Sequence, residues 1–186
     1  MNTPNKLTVA RMCITPVFLL VLLLSFPHRF LCAALIFAIA SVTDALDGRL
    51  ARKNNQITVF GKLLDPVADK VLTTAALLAF LTMGLCNIWS VMLILTREFA
   101  VTSMRLIASA QGIVIPANIF GKIKTATQMA FTILILLLGE VSEYVLSVQS
   151  YLALISNILI WITTAFTVIS GIIYFVDAKK RIDFFK

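Results

Sequence analysis

An all-α integral membrane protein of six transmembrane helices is the fold that this sequence predicts. Three observations lead there. Of 186 residues, 60% are hydrophobic and 13% charged, and the mean hydropathy is +0.97, which leaves too little polar surface for a water-soluble domain of this length. The apolar residues fall into six runs, each near the roughly 20 residues needed to cross about 30 Å of hydrocarbon. None of the runs alternates with the period of two that marks a strand, so helices are the spanning form. A single domain over 1–186 is expected.

The first run covers 8–26 and stops at Phe26-Pro27-His28. The stretch before it, 1–11, mixes Pro4, Asn5, Lys6, Thr8 and Arg11 with Leu7 and Val9, a composition that suits a short helix on the membrane surface. The second run, 30–50, ends in the polar Lys53-Asn54-Asn55-Gln56, and the third, 60–84, ends at Gly84. The fourth, 87–109, gives way to a break from Gln111 to Asn118 around Pro116. The fifth, 121–140, and the sixth, 151–176, are separated by a break from Glu140 to Ser150. No internal repeat, low-complexity tract or cleavable signal peptide is evident.

Six spans put both termini on one side. With that side cytoplasmic, Lys6, Arg11, Arg49, Arg52, Lys53, Lys62, Lys70, Arg105, Lys122, Lys124, Lys179, Lys180, Arg181 and Lys186 all fall at or near the inner face. Arg29 is then alone outside, with Glu140 and Glu143, while Arg97 lies within a span. This is the asymmetry of a multi-pass protein of a cytoplasmic membrane. The formal charge of +7 is therefore read as lipid-facing anchoring. No basic stripe follows a phosphate backbone, so no nucleic-acid partner is expected. Cys13, Cys32 and Cys86 have no neighbouring Cys or His, and His28, the sole histidine, sits in a short loop. None of these four has the setting of a metal ligand or catalytic base.

Chemistry concentrates between positions 44 and 69. Asp44 and Asp47 are spaced i, i+3, and Asp65 and Asp69 i, i+4, so each pair shares one helix face at the inner end of its span. Any one of these aspartates is equally explained as a helix-end partner of Arg49, Arg52, Lys62 or Lys70. Four together at helical spacing are better explained by a cation, because like charges near a low-dielectric medium repel. Oxygen-only donors select a hard divalent ion such as Mg²⁺ or Mn²⁺. Four carboxylates can hold two ions, an arrangement suited to displacement at phosphorus. Gly48, Ala51 and Gly61 either let helices approach closely or leave room for a substrate.

The spacing from Asp44 to Asp69 reads D-x2-D-G-x2-A-R-x8-G-x3-D-x3-D. It resembles the signature of the CDP-alcohol phosphotransferase family at every fixed position. The resemblance implies a six-helix membrane fold, usually a homodimer, with a cavity open to the cytoplasm. It implies two divalent cations, Mg or Mn, held by Asp44, Asp47, Asp65 and Asp69, with Asp69 also the general base. Gly48, Ala51, Arg52 and Gly61 would line the CDP site, and CMP would be a product. A metal-bound aspartate is a weak base, so that second role for Asp69 stands less firmly on chemical grounds than its role as a ligand.

The acceptor alcohol must be read from outside this motif. Arg97 and Arg105 lie in the fourth run, and Lys122, Lys124 and Thr125 open the fifth. A cation within a span rarely faces lipid, and binding an anion is a natural use for it. Taken singly, Arg97 is equally explained by an in-helix pair with Glu98, and the two lysines by anchoring. The pattern R-E-x-A-V followed by Arg105, then G-K-x-K-T, and Pro4-Asn5-x-Leu7-Thr8-x-x-Arg11 resemble the bacterial branch of the family that makes phosphatidylglycerophosphate. That implies CDP-diacylglycerol as donor, glycerol 3-phosphate as acceptor, and Arg97, Arg105, Lys122, Lys124 and Thr125 as acceptor-binding candidates. Inositol phosphate, serine, choline or phosphatidylglycerol as acceptor, a prenyltransferase, and a carboxylate-based ion transporter are the rival readings. CMP release is required by the family reading and impossible for a transporter.

Overall fold

A computed structural model describes residues 3–53, 59–113 and 119–180, with the side chains of 3–7, 44–53, 59–66, 69 and 110 outside the description. The described residues form six α-helices in chain order: α1 Thr3–Leu23, α2 Arg29–Lys53, α3 Val59–Thr82, α4 Ile88–Ala110, α5 Ile119–Ser142 and α6 Leu146–Lys179. No strand occurs among them. Two boundaries differ from the sequence reading. Residues 3–11 are the first turns of α1 rather than a separate surface helix, and Thr8 and Arg11 are buried in the bundle. The break expected from Glu140 to Ser150 shrinks to 143–145, because helical hydrogen bonding carries on past the last apolar residue. Nothing in 146–150 forbids it: Leu146, Ser147, Val148, Gln149 and Ser150 include neither Gly nor Pro.

Turn chemistry explains where α3 and α4 stop. Gly84 and Gly112 take the left-handed conformation, with φ of 70° and 72°. The next residue closes a loop back onto the helix, Leu85 N donating to Phe80 O at 2.8 Å and Ile113 N to Ala108 O at 2.8 Å. Both ends therefore follow the glycine-dependent helix stop. Asn87 caps α4 by accepting from Trp89 N at 2.9 Å. Inside α1, Pro16 interrupts the backbone ladder, and the neighbouring Thr15 hydroxyl bonds to Arg11 O at 3.0 Å.

The helices close a ring in the order α1–α2–α5–α6–α4–α3. Of the six seams in that ring, α3 against α4 is the loosest among the described residues. Phe18, Phe37, Phe80, Leu77, Ile94, Ile135 and Ile160 fill the interior, with the Phe18 and Phe37 rings 5.8 Å apart. Close approach is enforced where α2 meets α5: a methyl group added at Gly139 would lie 2.6 Å from the Phe30 ring. On α6, Thr163, Thr164 and Thr167 face inward and return their hydroxyls to carbonyls four residues back. Small polar residues that satisfy themselves in this way let neighbouring helices pack closely.

Every helix also presents large apolar residues outward, among them Leu78 on α3 at 45% exposed and Trp89 on α4 at 70%. Such a belt around the whole bundle is the mark of a protein solvated by lipid. By length and uninterrupted apolar composition, α5 and α6 are the two described helices able to cross a membrane. Among the described residues, α1, α2 and α3 contribute the apolar stretches Thr8–Leu23, Arg29–Thr43 and Lys70–Thr82.

The turns joining α1 to α2 and α5 to α6 meet at the end of the bundle away from the motif. His28 Nδ1 lies 2.6 Å from Glu140 Oε1, and Leu31 N donates to Glu140 Oε2 at 3.1 Å. Arg29 Nε donates to Glu143 Oε1 at 3.1 Å, and the Tyr144 hydroxyl sits 3.2 Å from His28 Nδ1. The lone histidine is thus part of a polar clasp between two turns. In the neighbouring α3–α4 turn, burial pushes the Cys86 thiol up to about 11. Against an ordinary value of 9.0 that leaves about 100-fold less thiolate at pH 8. Maleimide labelling of Cys86, in a background with Cys13 and Cys32 changed to Ser, is therefore expected to be slow at pH 8 in the folded protein. It should quicken as pH climbs towards 11, and be fast at pH 8 once the chain is unfolded. Fast labelling of the folded protein at pH 8 would contradict this.

Candidate active site

Two helix ends carry the motif. Asp44, Asp47, Gly48, Ala51 and Arg52 lie in the last turns of α2, and Gly61, Asp65 and Asp69 in the first half of α3. The helical backbone through both stretches is what the i, i+3 and i, i+4 spacings require for each pair to share a face. All eight side chains lie outside the described residues, so their convergence is taken up below as a proposal. Among the described residues no group of three or more His, Cys, Asp or Glu side chains gathers that could hold a metal.

Beside the motif, the structure assembles a cationic node around one carboxylate. Glu98 on α4 accepts from Lys124 Nζ of α5 and from Arg97 Nη1 at 2.9 Å through Oε1, and from Lys70 Nζ of α3 at 3.0 Å through Oε2. Arg97 reaches on to α6, where Nη2 donates to Ser170 Oγ at 2.6 Å. It fits there because position 171 is glycine: a methyl group would lie 2.8 Å from Arg97 Cγ. Four helices thus meet at one polar point. Lys124 is only 4% exposed.

Counting charges among the described residues, three cations face one anion, an excess of two positive charges in a poorly solvated place. Ions in such surroundings need compensation. Arg97 Nε is in addition buried with no hydrogen-bond partner among the described residues. A buried donor left unmade is costly. An anion with several oxygens would meet both demands, and paired guanidinium donors with lysine point charges are the groups that hold phosphate.

Of the five acceptor candidates, the structure brings Arg97 and Lys124 together at Glu98. Arg105 lies two turns further along α4, its guanidinium 5.4 Å from the centre of the Tyr174 ring. Lys122 and Thr125 are exposed, and the Thr125 hydroxyl bonds to Gly121 O at 3.1 Å. Sequence reasoning missed Glu98 as a hub and Lys70 as its partner. The available signal was that Glu98 is the one acid in the fourth run, and an acid within a span needs partners from neighbouring helices.

Over residues 1–169 the chain matches the CDP-alcohol phosphatidyltransferase family. It belongs to that family. Among relatives, it is 41% identical over 186 residues to the CDP-diacylglycerol–glycerol-3-phosphate 3-phosphatidyltransferase of Bacillus subtilis (strain 168), covering 94% of this chain and 93% of that one. Identity to the protein of the same name from Rickettsia bellii is 38% over 179 residues, 96% of each chain. The protein of that name from Wigglesworthia glossinidia brevipalpis is 32% identical over 168 residues, 83% of this chain and 92% of that one. The node around Glu98, together with the motif on α2 and α3, therefore sits in a CDP-alcohol phosphatidyltransferase. The resemblance read from the aspartate spacing is borne out.

Proposed function

We propose that this chain transfers the phosphatidyl group of CDP-diacylglycerol to glycerol 3-phosphate, giving phosphatidylglycerophosphate and CMP. Relatives that share nearly its whole length carry that activity in their names. The observation in the structure that carries the acceptor assignment is the node of Lys70, Arg97 and Lys124 on Glu98. Its excess positive charge and the open Arg97 Nε fit an acceptor bearing its own phosphate. An uncharged alcohol would leave that charge without a use.

Asp44, Asp47, Asp65 and Asp69 form an oxygen-only donor set fitted to two Mg²⁺ or Mn²⁺ ions, which when bound would neutralise the diphosphate of the donor. Gly48, Ala51, Arg52 and Gly61 line the nucleotide site in this reading. Arg97 and Lys124 hold the acceptor phosphate, with Arg105, Lys122 and Thr125 nearer the entrance. The C1 hydroxyl oxygen of glycerol 3-phosphate bonds to the β-phosphorus of CDP-diacylglycerol as the bond to the bridging oxygen breaks. That oxygen leaves with CMP, and the hydroxyl proton passes to Asp69. Holding two substrates in line and offsetting charge supply most of the rate.

All six helices span the membrane in this reading, with both termini and the site at the cytoplasmic face of a bacterial inner membrane. Acyl chains of donor and product stay in the bilayer, and the enzyme is a homodimer. The test is CMP release by purified protein in detergent, with CDP-diacylglycerol, Mg²⁺ or Mn²⁺, and glycerol 3-phosphate present or omitted. Release that requires both metal and glycerol 3-phosphate is expected. Release with serine or inositol phosphate in its place would keep the family and overturn the acceptor.

A further inference from the structure

The reaction needs the acceptor hydroxyl, held from α4 and α5, to meet a phosphorus held from α2 and α3. Two seams join those halves, α2 against α5 and α3 against α4, and the second is the loosest in the ring among the described residues. A groove of about 480 Å³ opens where α3 faces α1 and α4, lined by Val71 and Leu78 of α3, Met12 and Thr15 of α1, and Phe99 and Thr102 of α4. Lys70 lines the same groove and crosses the seam to Glu98 at 3.0 Å. Among the described residues, this is the ion pair that joins α3 to α4.

We infer that Lys70 and Glu98 are positioning residues that set the register between the donor-binding and acceptor-binding halves of the site. The inference rests on the reaction proposed above. Lys70 follows Asp69 directly in the chain, so any shift of Lys70 is a shift of the motif helix. Glu98 follows Arg97 directly and holds Lys124, so any shift of Glu98 moves the acceptor cations. The pair is partly buried, with side chains 22% and 16% exposed. There, an ion pair is screened less than at a surface. Where packing is sparse, a directed pair of this kind helps to specify an arrangement. Neither residue needs to touch a reacting atom: a misplacement of about 1 Å is enough to cost on the order of 10²-fold in rate.

Lys70→Met keeps the apolar stem and removes the tie, while Glu98 keeps Arg97 and Lys124. The experiment compares it with wild type, Lys70→Arg, Lys70→Gln, Glu98→Gln and the Lys70→Met/Glu98→Gln double variant, all full-length in detergent. CDP binding in the presence of Mg²⁺, measured by calorimetry, counts intact donor sites, and kcat for CMP release with glycerol 3-phosphate is expressed per site. In Lys70→Met we expect CDP affinity within about twofold of wild type and kcat per site lower by about 10-fold to 100-fold. Lys70→Arg should recover at least a third of the wild-type kcat, and the double variant should be no slower than Glu98→Gln alone. A kcat per site within about twofold of wild type in Lys70→Met, or losses that multiply in the double variant, would overturn the inference. So would loss of CDP sites in both Lys70→Met and Lys70→Gln, which would make the pair structural only. Wild-type protein that binds CDP yet releases no CMP with glycerol 3-phosphate would overturn the reaction itself, and the inference with it.

Discussion

Asp65→Asn is expected to lower kcat/KM for CMP release by about 10³-fold, on the view that metal-assisted charge neutralisation at phosphorus is worth several kcal/mol. Asn keeps the size and shape of Asp, so helix α3 and its packing should survive. What goes is one negative charge from a set of four. The site then binds hard cations less tightly, and the diphosphate is no longer offset. Two measurements separate this from general damage. The concentration of Mg²⁺ or Mn²⁺ needed for half-maximal CDP binding should rise sharply, and the helical content by circular dichroism should not change. Activity within tenfold of wild type would mean that Asp65 is a helix-end partner for a nearby cation, the alternative its position alone leaves open.

Lys124→Met should raise the KM for glycerol 3-phosphate by about 100-fold while leaving that for CDP-diacylglycerol unchanged. The size follows from removing one partner of a buried charge-assisted contact, about 2–5 kcal/mol, at about 1.4 kcal/mol per tenfold. The change is tolerable because Glu98 keeps Lys70 and Arg97. The bundle is therefore not left with an unpaired acid. Lys122→Gln is the informative companion. Lys122 is exposed, so removing its charge should move KM by less than about threefold, the usual scale of surface charges. Equal effects of the two substitutions would place the acceptor phosphate near the start of α5 rather than at the node.

Much of this protein can be read from its residues in order. Apolar length, and the absence of any alternating pattern, are local properties, and they determine that the chain is helical and where each helix lies. The third helix was expected over 60–84 and runs Val59–Thr82; the fourth was expected over 87–109 and runs Ile88–Ala110. Glycine turns at 84 and 112 set those ends by backbone geometry alone. The ends of α1 and α6 were harder to read. Hydropathy marks where apolar surface stops, whereas a helix stops only where its hydrogen bonds do. The aspartate motif was legible for the same reason as the helices: the two members of each pair, Asp44 with Asp47 and Asp65 with Asp69, sit about one turn apart, so spacing is position.

Partnership between distant segments is a different kind of property. Glu98, Lys70 and Lys124 are 28 and 26 residues apart from one another along the chain at the contacts they make, and Arg97 meets Ser170 across 73. His28 finds Glu140 across 112. No periodicity connects such pairs. They depend on the ring order of the helices and on how each helix is rotated about its axis, which packing decides. The sequence by itself determined the helical class, the family and the four carboxylates, because each follows from residues close together in the chain. Only the tertiary structure decided that Glu98 gathers three cations, that Arg97 and Lys124 stand apart from Lys122 and Thr125, and that α3 meets α4 across a loose seam. Those outcomes depend on which helix faces lie against one another, and ions in a poorly solvated interior settle wherever an opposite charge from another helix can reach them.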